Sequence, residues 1–130
     1  NLPEQDHFLE SMAEAAKAVT THCGENILYI SVMNRLSVDC DCDSNPEEPK
    51  MADIGMLASL DPVALDKACA DMVINAPIIG GNKLAEAHPH EHLEGEDKFH
   101  LIHPDTNWQA GLRYAEEIGL GSQAYELITV

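Results

Sequence analysis

The order of apolar segments in this sequence predicts an α/β fold, a mainly parallel sheet of three to four strands flanked by helices. Three observations carry the prediction. Two short continuous apolar runs, ILYISV at 27–32 and IGMLASL at 54–60, read as strands covered on both faces, as in a parallel sheet. The second run meets Asp61-Pro62, a strand-to-helix junction. Helical and strand patterns then alternate along the chain, which favours layered α/β packing.

The elements follow in order. Residues 5–22 read as an amphipathic helix. Phe8, Met12, Ala15 and Val19 recur at i, i+4, i+7 and i+11, and Gly24 is a stop just beyond. ILYISV is the first strand. Residues 35–53 lose periodicity and carry prolines at 46 and 49, so they read as a long loop, the kind that is usually functional or disordered. IGMLASL is the second strand. In DPVALDKACADMV, Asp61 is an N-cap and Pro62 takes N1, where a missing N–H costs nothing. Leu65, Ala68, Cys69, Met72 and Val73 make its inner face. Gly80-Gly81 is a breaker, and a short helix fits 82–87. HPHEHLEGEDKFHLIHP reads as an exposed, mobile excursion. A last helix over about 107–118 turns Trp108, Leu112 and Ala115 inward and ends at Gly119. YELITV, 125–130, reads as a closing strand.

The chain of 130 residues, 45% hydrophobic, fits one domain, 1–130, and its length supports a core without disulfides. The start, Asn1-Leu2-Pro3, has neither an initiator Met nor a signal-peptide pattern and reads as a piece of a longer protein. With 23 Asp+Glu against 7 Lys+Arg, the formal net charge is −16. That argues against a nucleic-acid or anionic-membrane surface and favours cations, basic partners or simple solubility. No apolar run is long enough to span a membrane. Cys23, Cys40, Cys42 and Cys69 are unevenly spaced, which suits a reducing, cytoplasmic compartment rather than a disulfide scaffold.

Two tracts could carry chemistry. In DCDCD, 39–43, an extended backbone would turn Cys40 and Cys42 to one side, where two thiolates can meet a soft metal ion. The flanking Asp39 and Asp43 attract cations but also raise a thiol's pKa, so a ligand role is favoured over a redox nucleophile. A solvated acidic loop is the plain alternative. In HPHEH, His88, His90 and His92 can present three imidazoles along an extended strand to zinc, nickel, copper or iron, with His100 and His103 able to join. An exposed loop is again the alternative. Cys69, on an apolar helix face, reads as a core thiol, and Cys23 as structural. Asp53 has no evident role.

Several of these motifs together resemble a known family. VDCDCDSNPEEPKMADIGMLASLDPVALDKACADMV, then HPDTNW, then EEIGLGSQAYELITV resemble the carboxy-terminal part of domain-of-unknown-function family 362. The resemblance runs from about residue 7 to 130. Cys40 and Cys42 match the family's CDC motif and Cys69 the cysteine of its D-P-V-A-L-D-x-A-C block. The resemblance implies iron–sulfur proteins whose two-cluster ferredoxin insert, with its [4Fe–4S] cysteines, lies upstream. This chain would be the part that follows the insert, half of a larger α/β unit.

The expected function is a carboxy-terminal domain of an iron–sulfur or metal-binding protein in redox or electron transfer. Zinc or iron would be held by Cys40 and Cys42, or by His88, His90 and His92. One alternative is a non-catalytic domain that docks the ferredoxin module of the same chain or another subunit. A second alternative is a metal-dependent enzyme on a small anion. A homo-oligomer is compatible with each.

Overall fold

The computed structural model describes residues 4–39, 44–45 and 48–130. The described elements run α1 (Gln5–Cys23), β1 (Tyr29–Met33), β2 (Gly55–Ser59), α2 (Pro62–Asn75), α3 (Lys83–Ala87), α4 (Lys98–Ile102) and α5 (Trp108–Glu117). Among the described residues no helix is long and apolar enough to cross a membrane.

The sheet corrects the sequence expectation. The described strands are two, and they pair antiparallel, with Ile30 opposite Ala58 and Val32 opposite Met56. A parallel sheet of three to four strands is not what forms. The reason lies in the connection. A parallel pair needs a crossover, usually helical. The described residues next to the two strands instead tie back to one another. Ile54 N–H donates to Met33 O at 2.9 Å, Lys50 N–H to Leu36 O at 2.8 Å, and Arg35 N–H to Asp53 Oδ1 at 2.8 Å. Asp53 thereby gains the role that its sequence context did not reveal, closing the arch beside Arg35, whose φ is 51°. The expected closing strand YELITV is also absent: residues 125–130 join no ladder. Tyr125 Oη ties this tail to Asp71 Oδ2 at 2.9 Å.

The α2 expectation holds. The Asp61 carboxylate accepts from the N–H groups of Val63 and Ala64, and Pro62 occupies the first turn. Leu65, Ala68 and Val73 are buried, and so are Val63, Ala64 and Ala70. The helix is buried on two sides, against β1 and β2 on one and against α5 on the other, and Asp66 and Asn75 stay exposed.

The first and last helices run parallel. Asn107 N–H donates to Gln5 Oε1, Tyr114 Oη to Glu14 Oε1, and Lys17 Nζ to Gly119 O. Their seam is made of small residues. Ala13 and Ala115 pack with Val63, and Gly111 lies against Leu9. Phe8, Met12 and Val19, the expected inner face of α1, are instead 49%, 55% and 61% exposed. The C-terminal stop is as expected, with Gly24 N–H on Thr20 O at 2.9 Å.

Residues 76–106 are more ordered than the composition suggested. The buried Asn82 caps α3 through Ala85 N–H and donates to Pro49 O and Ile79 O. Leu93 is buried and packs with Ile78 and Leu84, and Lys98 is fully buried. KFHLI, read as part of a loop, is helix α4.

Candidate functional site

The inner stripe of α2 is Val63, Asp66, Cys69, Ala70 and Val73, spaced at helical intervals. Four of these are small or apolar, and Asp66 is the exception. The stripe forms one wall of a cavity of about 550 Å³ between α1, β1, α2 and α5. Met33, Leu36, Phe99 and Trp108 close much of the rest.

The polar groups on this wall divide sharply. The Ser31 hydroxyl, on β1, lies beside the Cys69 thiol and acts to lower its pKa. The thiol is pushed up from its ordinary value, first by burial and further by the Asp66 charge, against the lowering effect of Ser31. It is therefore a neutral group and not an activated nucleophile. Asp66 makes no hydrogen bond and no ion pair among the described residues. Asp66 is exposed by area, yet the apolar cavity wall beside it takes part of its solvent and pushes its carboxyl up, because loss of solvent disfavours the charged form.

The aromatic end of the cavity is held from behind. Asp97 Oδ2 accepts from Trp108 Nε1 at 2.9 Å and from Gln109 Nε2 at 3.0 Å, while Oδ1 accepts from His100 N–H. Burial alone would raise this carboxyl, but the bonds from Trp108, His100 and Gln109 outweigh it and hold it below its usual range. The Phe99 and Trp108 rings meet tilted, with centroids 5.8 Å apart.

Two buried lysines brace the surrounding loops. Lys98 Nζ donates to Ile74 O at 2.6 Å and to Leu93 O at 2.5 Å. It thus meets the negative end of α2. Lys50 Nζ donates to Ser37 O at 2.5 Å. Burial lowers both amines from the ordinary lysine value, opposed by Asp39 at Lys50 and by Glu94, Glu96 and Asp97 at Lys98.

The second surface feature is the hairpin's outer face. Tyr29, Ser31, Met33, Leu57 and Ser59 turn toward α2. Ile30, Val32, Met56 and Ala58 turn away, flanked by Leu28 and Leu60. Val32 is 61% exposed and Met56 74%. Aliphatic side chains thus fill a strand face that water normally claims.

The residues singled out from sequence fare differently. Cys40 and Cys42 lie outside the described residues, as do Asp41 and Asp43. The described flank is fixed: Ser37 Oγ donates to Asp39 O at 2.6 Å, and Lys50 holds Ser37 O. His88, His90 and His92 do not lie along an extended strand. His88 ends α3, Glu91 N–H turns back to His88 O, and His88 Nδ1 sits 3.2 Å from Glu91 Oε2. Among the described residues no three His, Cys, Asp or Glu side chains converge on a metal position. His100 Nδ1 faces Thr106 O instead. Cys69 is half-buried as a core thiol should be, but Cys23 is exposed at the end of α1. Asp66 and Ser31 were not singled out from sequence. The available signal was a charged residue in register with Val63, Cys69, Ala70 and Val73.

Comparison with known proteins gives one match. The family model described as domain of unknown function (DUF362) matches residues 2–71. That stretch holds α1, the hairpin, and α2 as far as Asp71, with Ser31, Asp66 and Cys69 inside it. HPDTNW and EEIGLGSQAYELITV lie beyond it. No curated protein and no solved structure matches the chain. The description names no cofactor, substrate or reaction, and it covers more than half of the sequence: the chain belongs to the DUF362 family.

Proposed function

We propose that this chain is a docking domain, and that the outer face of the hairpin receives a protein partner. One observation carries the reading: Leu28, Ile30, Val32, Met56, Ala58 and Leu60 form a contiguous apolar face with no covering layer among the described residues. Contiguous exposed apolar surface of this kind marks interaction sites. Among the described residues its two strands are also both edges, β1 open and β2 flanked by the tail at 125–130. The net charge of −16 favours a partner with a basic rim. The resemblance to ferredoxin-bearing proteins supports a ferredoxin module as that partner.

Sedimentation velocity tests it, with this chain titrated by a separately produced two-cluster ferredoxin module of a DUF362 protein. The expected result is a saturable complex that Val32→Lys/Met56→Lys abolishes and Cys40→Ser/Cys42→Ser preserves. No complex, or one indifferent to the hairpin change, overturns the reading.

A second reading, a metal-bearing redox domain, is supported by the anchored flank of the CDC motif. Lys50 and Ser37 fix the backbone at Asp39, which would lower the entropy lost when Cys40 and Cys42 close on a soft ion. Elemental analysis of protein purified without oxygen checks it. One zinc or iron per chain should vanish with Cys40→Ser/Cys42→Ser and survive His88→Ala/His90→Ala/His92→Ala. Metal-free wild-type protein refutes it.

A further inference from the structure

We propose that the cavity beside α2 binds an organic monocation with an apolar body, an alkyl or aryl primary amine whose ammonium pairs with Asp66. Its hydrocarbon part would lie against Met33, Leu36, Phe99 and Trp108.

The size fits. Small-molecule sites run from about 300 to 1,000 Å³ and combine apolar walls with few polar groups. This cavity, about 550 Å³, has that composition. The polar groups then choose the ligand. Ser31 and Cys69 are neutral groups that lie beside one another. Asp66 is left with neither donor nor cation among the described residues, and no Lys, Arg or His lines the cavity. Asp66 is exposed, so its carboxylate stands at the cavity mouth, and a charged donor bonds a carboxylate more strongly than a neutral one. An ammonium does so; an alcohol supplies one neutral hydrogen bond; a carboxylate would meet like charge. Trp108, pinned through Nε1 to Asp97, presents an aromatic surface that also attracts cations. The acidic chain raises the local concentration of cations at the mouth. The site faces the opposite side of the hairpin from the docking surface, so the two readings stand or fall separately.

The experiment compares n-octylamine, 1-octanol and octanoate by calorimetry, with Trp108 emission as a second signal, since it is the single tryptophan. At 0.15 M salt and neutral pH, octylammonium should bind one per chain, at least tenfold tighter than 1-octanol, with octanoate weakest. Asp66→Asn should reduce the amine to the level of the alcohol and leave 1-octanol unchanged. Val32→Lys/Met56→Lys should alter neither. Raising salt separates this site from loose pairing on the acidic surface, which screening removes. Absence of saturable amine binding, equal affinity for amine and alcohol, or a preference that survives Asp66→Asn overturns the proposal.

Discussion

Gly121 lies so close to Asp61 that a Cβ at position 121 would fall 2.0 Å from Asp61 Oδ1. The same carboxylate caps α2 through Val63 and Ala64 and accepts Ser122 N–H on Oδ2 at 2.8 Å. One side chain therefore starts a helix and fastens the segment after α5 to it. Gly121→Ala should displace the carboxylate and cost at least the ~1–2 kcal/mol of a lost N-cap. Denaturant melts check this. Gly80→Ala, with nothing within 4 Å of its added Cβ, is the control and should change little.

Asp66 should oppose folding at neutral pH. Although the side chain is exposed, partial desolvation against the cavity wall raises its folded-state pKa. The stability it contributes is fully present below the unfolded carboxylate value, about 3.9, and is lost as pH rises through the folded value. Asp66→Asn should therefore raise the Tm at pH 7, with the gain shrinking as pH falls toward 4. The exposed Asp105→Asn corrects for the general benefit of removing one negative charge. A gain independent of pH would contradict the assignment.

Asp97 should behave in the opposite sense. Its pKa is held down by hydrogen bonds that outweigh burial. Its contribution is present above the unfolded carboxylate value and is lost as pH falls through the folded one. Asp97→Asn should destabilise by on the order of 1–2 kcal/mol at pH 7, since it weakens the α4 cap and the Trp108 anchor together. Trp108 emission should shift to the red as the ring loosens.

Lys98→Met tests the buried brace. The ammonium joins two carbonyls on opposite sides of the turn at 93–97, and each also accepts a backbone N–H, from Gly95 at Ile74 and from Glu96 at Leu93. Neither carbonyl would be orphaned. The loss should be about 1–3 kcal/mol, less than the sum of two charged hydrogen bonds, because burying the ammonium already carries a desolvation penalty. Hydrogen exchange should accelerate at Gly95 and in the last turn of α2 before it does in α1.

Local signals in the sequence were read correctly where one residue type dictates one geometry. Asp61-Pro62 starts α2, Gly24 ends α1, and Trp108–Glu117 is a helix for the reasons its pattern gives. What was not legible was which apolar residues meet. On α1 the larger side chains Phe8, Met12 and Val19 looked like the core face, yet Ala13 is buried because α5 presents Ala115 and Gly111 at the seam. Closeness of approach, set by small residues on the partner, outweighed hydrophobicity. ILYISV and IGMLASL were right as strands and wrong in direction, since a two-sided apolar run does not encode its neighbour's orientation. Asp66 and Ser31 are separated along the chain and become a site only after the hairpin folds onto α2. The CDC motif lies outside the described residues, so the structure leaves that part of the reading where the sequence put it.

The uncovered hairpin has a colloidal consequence. Among the described residues, the strand edges beside Val32 and Met56 form a template on which copies of the chain could stack. Mutual repulsion between chains carrying a net −16 opposes this at neutral pH and low salt. The same charges that would draw in a basic partner thus oppose self-association. Acidification or high salt, by silencing them, should turn a well-behaved solution turbid without unfolding a single helix.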